Sequence, residues 1–188
     1  MKKEYFEGIP FDVRDSIVTD FLFKDILERP AFKLFIQGGA MHDPAFVYEV
    51  SFGFLPRQFE ATQQDRYFIE EESDVTEIYF VIKGSWAVAF NIYVQADLVE
   101  EEKSALSSED SGLPEDMRKA GQVIAKKFKD YGYFGDYYVL SSKRSQFHYV
   151  ALSHVEAYAL PKRFVFNVLL KKFPGLHQVL LADAFHRY

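Results

Sequence analysis

The sequence predicts an α+β fold: an antiparallel β-roll of about eight strands, jelly-roll-like, flanked by helices at both ends. Three observations predict it. Apolar residues recur at helical spacing before residue 50 and again after residue 160. Between them the period shortens to that of strands, punctuated by turn residues. No segment repeats along the chain.

The elements follow in order. Residues 9–29 read as a helix with Pro10 in its first turn, where the missing N–H costs nothing. Val13, Ile17 and Phe21 share one stripe; Val18, Leu22 and Ile26 share the next. Pro30 stops this helix. A short helix is predicted over residues 30–37, a break at Gly38-Gly39, and another helix from Asp43-Pro44. Strands are predicted at residues 58–61, 67–69, 77–82 and 85–94, with a turn at Lys83-Gly84. Residues 96–120 are acidic, serine-rich and poor in aromatics, which predicts a solvated loop insertion with a turn of helix near 114–119. Strands resume at 122–128, 146–152 and 155–160, with a tight segment at 130–136. Pro161 introduces a helix, Pro174-Gly175 breaks it, and a last helix starts near Leu176.

Composition narrows the function. The chain has 188 residues, 48% hydrophobic and 27% charged, enough for one packed domain. Its 20 Phe and 12 Tyr exceed what one core needs, so some rings are expected at an interface or pocket rim. A net charge of −6 supplies no general field for nucleic acid or anionic lipid, so an anionic ligand needs a local cation. The absence of cysteine excludes disulfides, thiol catalysis and Cys-based zinc sites. No apolar run reaches the ~18 residues of a membrane span, and the N-terminus does not read as a signal peptide. The five histidines lack metal-ligand spacing, and no phosphate-cradling or nucleophile-elbow motif occurs. No enzyme activity, metal or cofactor is expected.

Several motifs converge on one family. Ile78-Tyr79-Phe80-Val81-Ile82-Lys83-Gly84 follows Tyr67-Phe68-Ile69-Glu70-Glu71-Glu72 at strand-like spacing. Tyr133-Phe134-Gly135-Asp136 precedes Lys143-Arg144-Ser145, and Phe164 begins a stretch that ends in Phe173-Pro174. From about residue 46 onward, this pattern resembles the cyclic-nucleotide-binding domain family. Ile9-Pro10-Phe11-Asp12-Val13-Arg14-Asp15-Ser16-Ile17 resembles an element in the linker of hyperpolarisation-activated, cyclic-nucleotide-gated and ether-à-go-go-type channels, which joins pore to binding domain and makes tetramer contacts. The resemblance divides the chain into a helical linker-like segment, 1–42, and a binding-type domain, 43–188.

The resemblance also assigns roles. A cyclic nucleotide presents a phosphate, a ribose hydroxyl and a purine face. Phe134-Gly135 forms the close backbone turn, and Asp136 takes the ribose-binding carboxylate's place. Tyr137 and Tyr138 present backbone N–H groups to the phosphate, Arg144 pairs with it, and Ser145 adds a hydroxyl. Arg187 falls where some channel members place a base-contacting arginine. The sequence departs from the family in five ways, one of them Gln64-Asp65-Arg66 in place of a Pro-Gly-Asp turn before the second strand. Asp136 replaces a longer Glu, the 136–144 loop is one residue short, Glu72 stands in place of a glycine, and Gln146, Phe147 and His148 replace small residues. Bland alternatives stay open. Asp136 can cap a short helix, Arg144 and Arg187 can be solvated, and the tyrosines can be packing residues.

The implied function is a regulatory domain that binds cAMP or cGMP and couples it to gating of a cation channel. The expected partners are the cyclic nucleotide, the rest of a channel polypeptide and neighbouring subunits of a homotetramer, at the cytoplasmic face of a membrane reached only through the parent protein. Nucleic acid is not an expected partner. The alternatives are a degenerate homologue that binds no nucleotide and serves structure or protein interaction, or the regulatory domain of a soluble signalling protein.

Overall fold

A computed structural model describes residues 3–6, 8–36, 43–62, 66–95 and 117–187. Two four-stranded antiparallel sheets face each other. One joins residues 55–59, 155–161, 77–83 and 132–134 in that spatial order, and the other 67–69, 148–151, 85–95 and 117–129. The strands are β1 (Leu55–Phe59), β2 (Tyr67–Ile69), β3 (Glu77–Lys83), β4 (Ser85–Gln95), β5 (Met117–Lys129), β6 (Gly132–Phe134), β7 (His148–Ala151) and β8 (Val155–Pro161). This is the predicted β-roll with helices before and after it.

The N-terminal helix runs as α1 (Phe11–Ser16), a π-helical segment (Ile17–Leu22) and α2 (Lys24–Leu27). The break lies at Phe23, whose backbone leaves the helical region at φ −119° and ψ 10°. Thr19 Oγ1 donates back to Asp15 O at 2.9 Å, the kind of side-chain competition that loosens a helical ladder. α3 (Pro30–Ile36) begins at the proline that ends α2's run. α4 (Pro44–Ser51) is capped by Asp43, whose carboxylate accepts the Ala45 N–H at 2.9 Å.

β3 explains much of the aromatic content. Its residues are buried on both faces, because the roll interior lies on one side and the helices on the other. Tyr79 packs with Phe59, Phe68 and Phe134 inside the roll. Phe80 packs with Phe32, Phe35, Phe54 and Tyr133 on the helical side. Ile26 and Phe32 thus share one apolar core with the sheets.

Two expectations are corrected. Residues 117–119 belong to β5 and not to a helical turn, because the strand pairs with β4 from Ser85↔Lys129 to Gln95↔Met117. Strand β1 begins at Leu55, ahead of residue 58, and tolerates Pro56 because it lies at the sheet edge, where a missing N–H breaks no ladder. The tight segment at 130–136 contains strand β6, which completes the first sheet beside β3. The remainder of the predicted acidic insertion, 96–116, lies outside the described residues, as does Gly38-Gly39.

On the C-terminal side, α6 (Lys162–Phe164), a π-helical segment (Val165–Leu169) and α7 (Leu170–Lys172) form one run ended at Phe173. α8 (Leu176–Arg187) follows and packs against α5 (Asp136–Ser141), with Leu180 and Ala184 buried beneath it.

Candidate ligand cavity

The site is built where β6 runs into α5. Gly135 sits between them with φ +91°, and a Cβ there would lie 2.8 Å from the carbonyl oxygen of Glu77. Only glycine takes this turn without strain. The turn places Asp136 in the first turn of α5, where its carboxylate favours the positive helix end. Asp136 is buried, and its Oδ2 accepts a hydrogen bond from Arg187 Nη2 at 2.8 Å. The last helix is therefore tied to the start of α5 by an ion pair across the chain.

A cavity of about 280 Å³ opens beside this pair. Trp86 and Val88 of β4, Phe128 of β5 and Tyr149 of β7 form one wall. Gly132, Tyr133 and Phe134 of β6 form another, with Gly135, Asp136, Tyr137 and Tyr138 at the head of α5. Ala184 and Arg187 of α8 close it. Trp86 stacks on Phe128 with ring centroids 4.1 Å apart and lies 4.5 Å from Phe134. Gly132 leaves space for that indole, since a Cβ would come within 2.9 Å of it.

The cavity's electrostatics are nearly balanced. Among the described lining residues, Asp136 and Arg187 are the one acidic and one basic side chain, and they pair with each other. Burial pushes the Tyr133 phenol upward, and the Asp136 carboxylate adds to the shift. Burial likewise raises Tyr149 and Tyr138. All three remain neutral hydroxyls at physiological pH. Tyr133 Oη and Trp86 Nε1 are buried without a hydrogen-bond partner among the described residues. Both atoms are shut off from the cavity space as well as from protein partners, so each is a desolvated donor.

The structure brings together six of the eight residues singled out in the sequence: Phe134, Gly135, Asp136, Tyr137, Tyr138 and Arg187. The other two lie elsewhere. Arg144 turns outward, its side chain 66% exposed, and sits 3.6 Å from Asp74 across a short bridge between the two segments. Ser145 is fully buried, and its Oγ donates to Phe147 O at 2.6 Å. Asp136 does not act as the N-cap of α5, a position held by Gly135; its carboxylate serves the ion pair with Arg187 instead. Tyr138 is buried, its hydroxyl accepting the Gln146 N–H at 3.2 Å, while Tyr137 accepts from Lys143 Nζ at 3.0 Å.

Sequence reasoning missed the opposite wall. Trp86 and Tyr149 are buried like core residues and Phe128 is half-buried on an otherwise exposed strand, so no sequence pattern sets the three apart. The lone tryptophan was the available signal, since its N–H normally finds a partner when buried.

In the sequence His148 stands out as a departure from the family pattern and as one of five histidines without metal-ligand spacing. It is buried, accepts the Glu71 N–H at Nδ1 (3.1 Å) and lies 3.3 Å from the Glu71 carboxylate. Glu71 in turn accepts the Asn91 N–H at 3.0 Å, tying the end of β2 to β4 and β7.

No protein-family model matches the chain, and no curated protein matches it in sequence. Solved structures do. The regulatory domain of Toxoplasma gondii PKA with cAMP superposes with a TM-score of 0.54 at 17% identity, over 100% of this chain and 57% of that one. The C-linker/CNBHD of zELK channels, crystallised in the presence of cAMP, superposes with a TM-score of 0.59 at 13% identity, over 99% of this chain and 74% of that one. The chain shares their fold. It spans little more than half the length of the PKA regulatory domain structure. Among the described residues, no helix is long and apolar enough to cross a membrane.

Proposed function

We propose that this chain is a non-catalytic regulatory domain of the cyclic-nucleotide-binding type. In this reading the occupancy of the aromatic cavity sets the position of α8, and α8 passes the signal onward. The observation that carries it is the Arg187–Asp136 pair, which makes the last helix part of the cavity wall. A ligand that engages either partner must change what holds α8, so it prefers one helix position over the other. The aromatic walls suit a planar base.

cAMP or cGMP is the proposed ligand, on the strength of the fold and the sequence motifs. The parent protein is proposed to be a cation channel at the cytoplasmic face of a membrane, assembled as a homotetramer. The likeness to the zELK C-linker region and the linker-like start at Ile9-Pro10 support that choice.

A second reading is favoured by a specific observation. Arg144 points away from the cavity and Arg187 is already paired, so an incoming phosphate meets no unclaimed cation among the described lining residues. In that reading the cavity is held by the chain itself, and the domain regulates through protein contacts without nucleotide. Calorimetry with cAMP and with cGMP separates the two. Saturable binding by the intact protein, altered in the Arg187→Ala variant, supports the ligand reading. No heat from either nucleotide at millimolar concentration eliminates it and leaves the self-held domain.

A further inference from the structure

We infer that the free edge of β5 is a docking strand for an acidic, extended peptide segment of a partner protein. Strand β7 pairs with β4 only from Trp86 to Ala89. Beyond that, residues 90–95 of β4 pair with residues 117–123 of β5 as a two-stranded ribbon. The β4 side of the ribbon is tied down by Glu71, which accepts the Asn91 N–H. The β5 side ends its sheet, with no further strand among the described residues. The pairing with β4 is irregular at Val88/Ala89 and at Ile92/Tyr93, and the regular stretches between and beyond these two points leave outward backbone N–H and C=O groups able to pair.

The side chains add to this. Residues 123–127 are all exposed, and Val123, Ile124 and Ile92 expose 39%, 41% and 40% of their surface. Between Met117 and Lys129 the sequence holds five basic residues and no acidic one, in a chain whose net charge is −6. Lys126, Lys127 and Lys129 have no carboxylate partner among the described residues. Lys126 instead lies 5.2 Å over the Phe128 ring.

This combination selects one occupant. A second copy pairing edge to edge would set the lysines against each other, which costs energy where like charges stand opposite. A lipid surface could meet the charge but cannot satisfy a backbone ladder. An extended acidic segment does both: its main chain continues the sheet, and its carboxylates face the lysines. The inference is independent of any ligand in the cavity.

The test uses a short fluorescein-labelled peptide in which Glu alternates with Val, and its Lys-for-Glu counterpart. The expected result is saturable, salt-sensitive binding of the acidic peptide, with no binding of the basic one. Amide exchange of residues 123–129 should slow on binding. The Lys126→Glu/Lys127→Glu variant should weaken binding by about tenfold or more, and Lys126→Gln/Lys127→Gln by less. The inference is overturned if the acidic peptide fails to saturate, or binds the charge-reversed variant equally well. It is also overturned if phosphatidylserine vesicles protect the same amides and the peptide does not displace them. Self-association through β5 in sedimentation, with the peptide excluded, would overturn it as well.

Discussion

Asp136 and Arg187 stand 51 residues apart in sequence and 2.8 Å apart in space. Counting from Phe173-Pro174 leads to Arg187, but nothing in the sequence names its partner. That depends on how α8 crosses α5. Arg144 shows the same limit from the other side. Its motif was legible, but its direction is set by the bridge to Asp74, a long-range contact. Removing Arg187 strands a buried carboxylate, so Arg187→Ala should cost about 1–2 kcal/mol, given that the arginine is itself 35% exposed. Adding Asp136→Asn should return part of that loss, read as a coupling energy in a urea double-mutant cycle. Additive effects would contradict the pairing. Glu72 offers a complementary test. The family pattern expects glycine here, and Glu72 does occupy the left-handed region at φ +60°. Glu72→Gly should therefore stabilise the fold by about 0.5–1 kcal/mol, seen as a raised urea midpoint; a lowered midpoint would show that the carboxylate outweighs the strain.

At the scale of elements, β2, β3 and β4 were legible because β-branched and aromatic residues crowd them and turns bound them. The first residues of β5 were not. Met117-Arg118-Lys119-Ala120-Gly121 has no strand-like alternation, and its placement comes from backbone pairing with β4. A segment without apolar alternation leaves no hydrophobic period to read. Helix α8 was legible in its start but not in its docking. Leu180 and Ala184 bury its inner face over α5 while Phe185 stays exposed. Leu180→Ala should weaken this docking by about 2–4 kcal/mol and speed amide exchange in α8 before it does so in β3. Exchange that accelerates uniformly across the domain would contradict α8 as a separable element.

The whole molecule joins two aromatic layers across β3, one inside the roll and one under the helices. Burial raises the phenols of Tyr79, Tyr133 and Tyr149 above the ordinary tyrosine range. Below pH ~10 these groups are neutral both folded and unfolded, and their contribution is fully present. Above it the unfolded chain ionises first, so the native state holds more protons and stability falls as pH rises. The urea midpoint should decline from about pH 10 upward; a midpoint flat through that range would contradict the burial of these hydroxyls. The overall architecture was readable because period changes mark each layer. The balanced charge of the cavity was not, since it arises from residues that meet only in the folded chain. The central claim is that cavity occupancy sets the position of α8. The cysteine-free chain allows spin labels at Lys83→Cys on the roll and Ala182→Cys on α8, both exposed positions. Their distance distribution should shift when millimolar cAMP or cGMP is added, and Arg187→Ala should shift it without ligand. A distribution unchanged by either nucleotide and by the substitution would contradict the account.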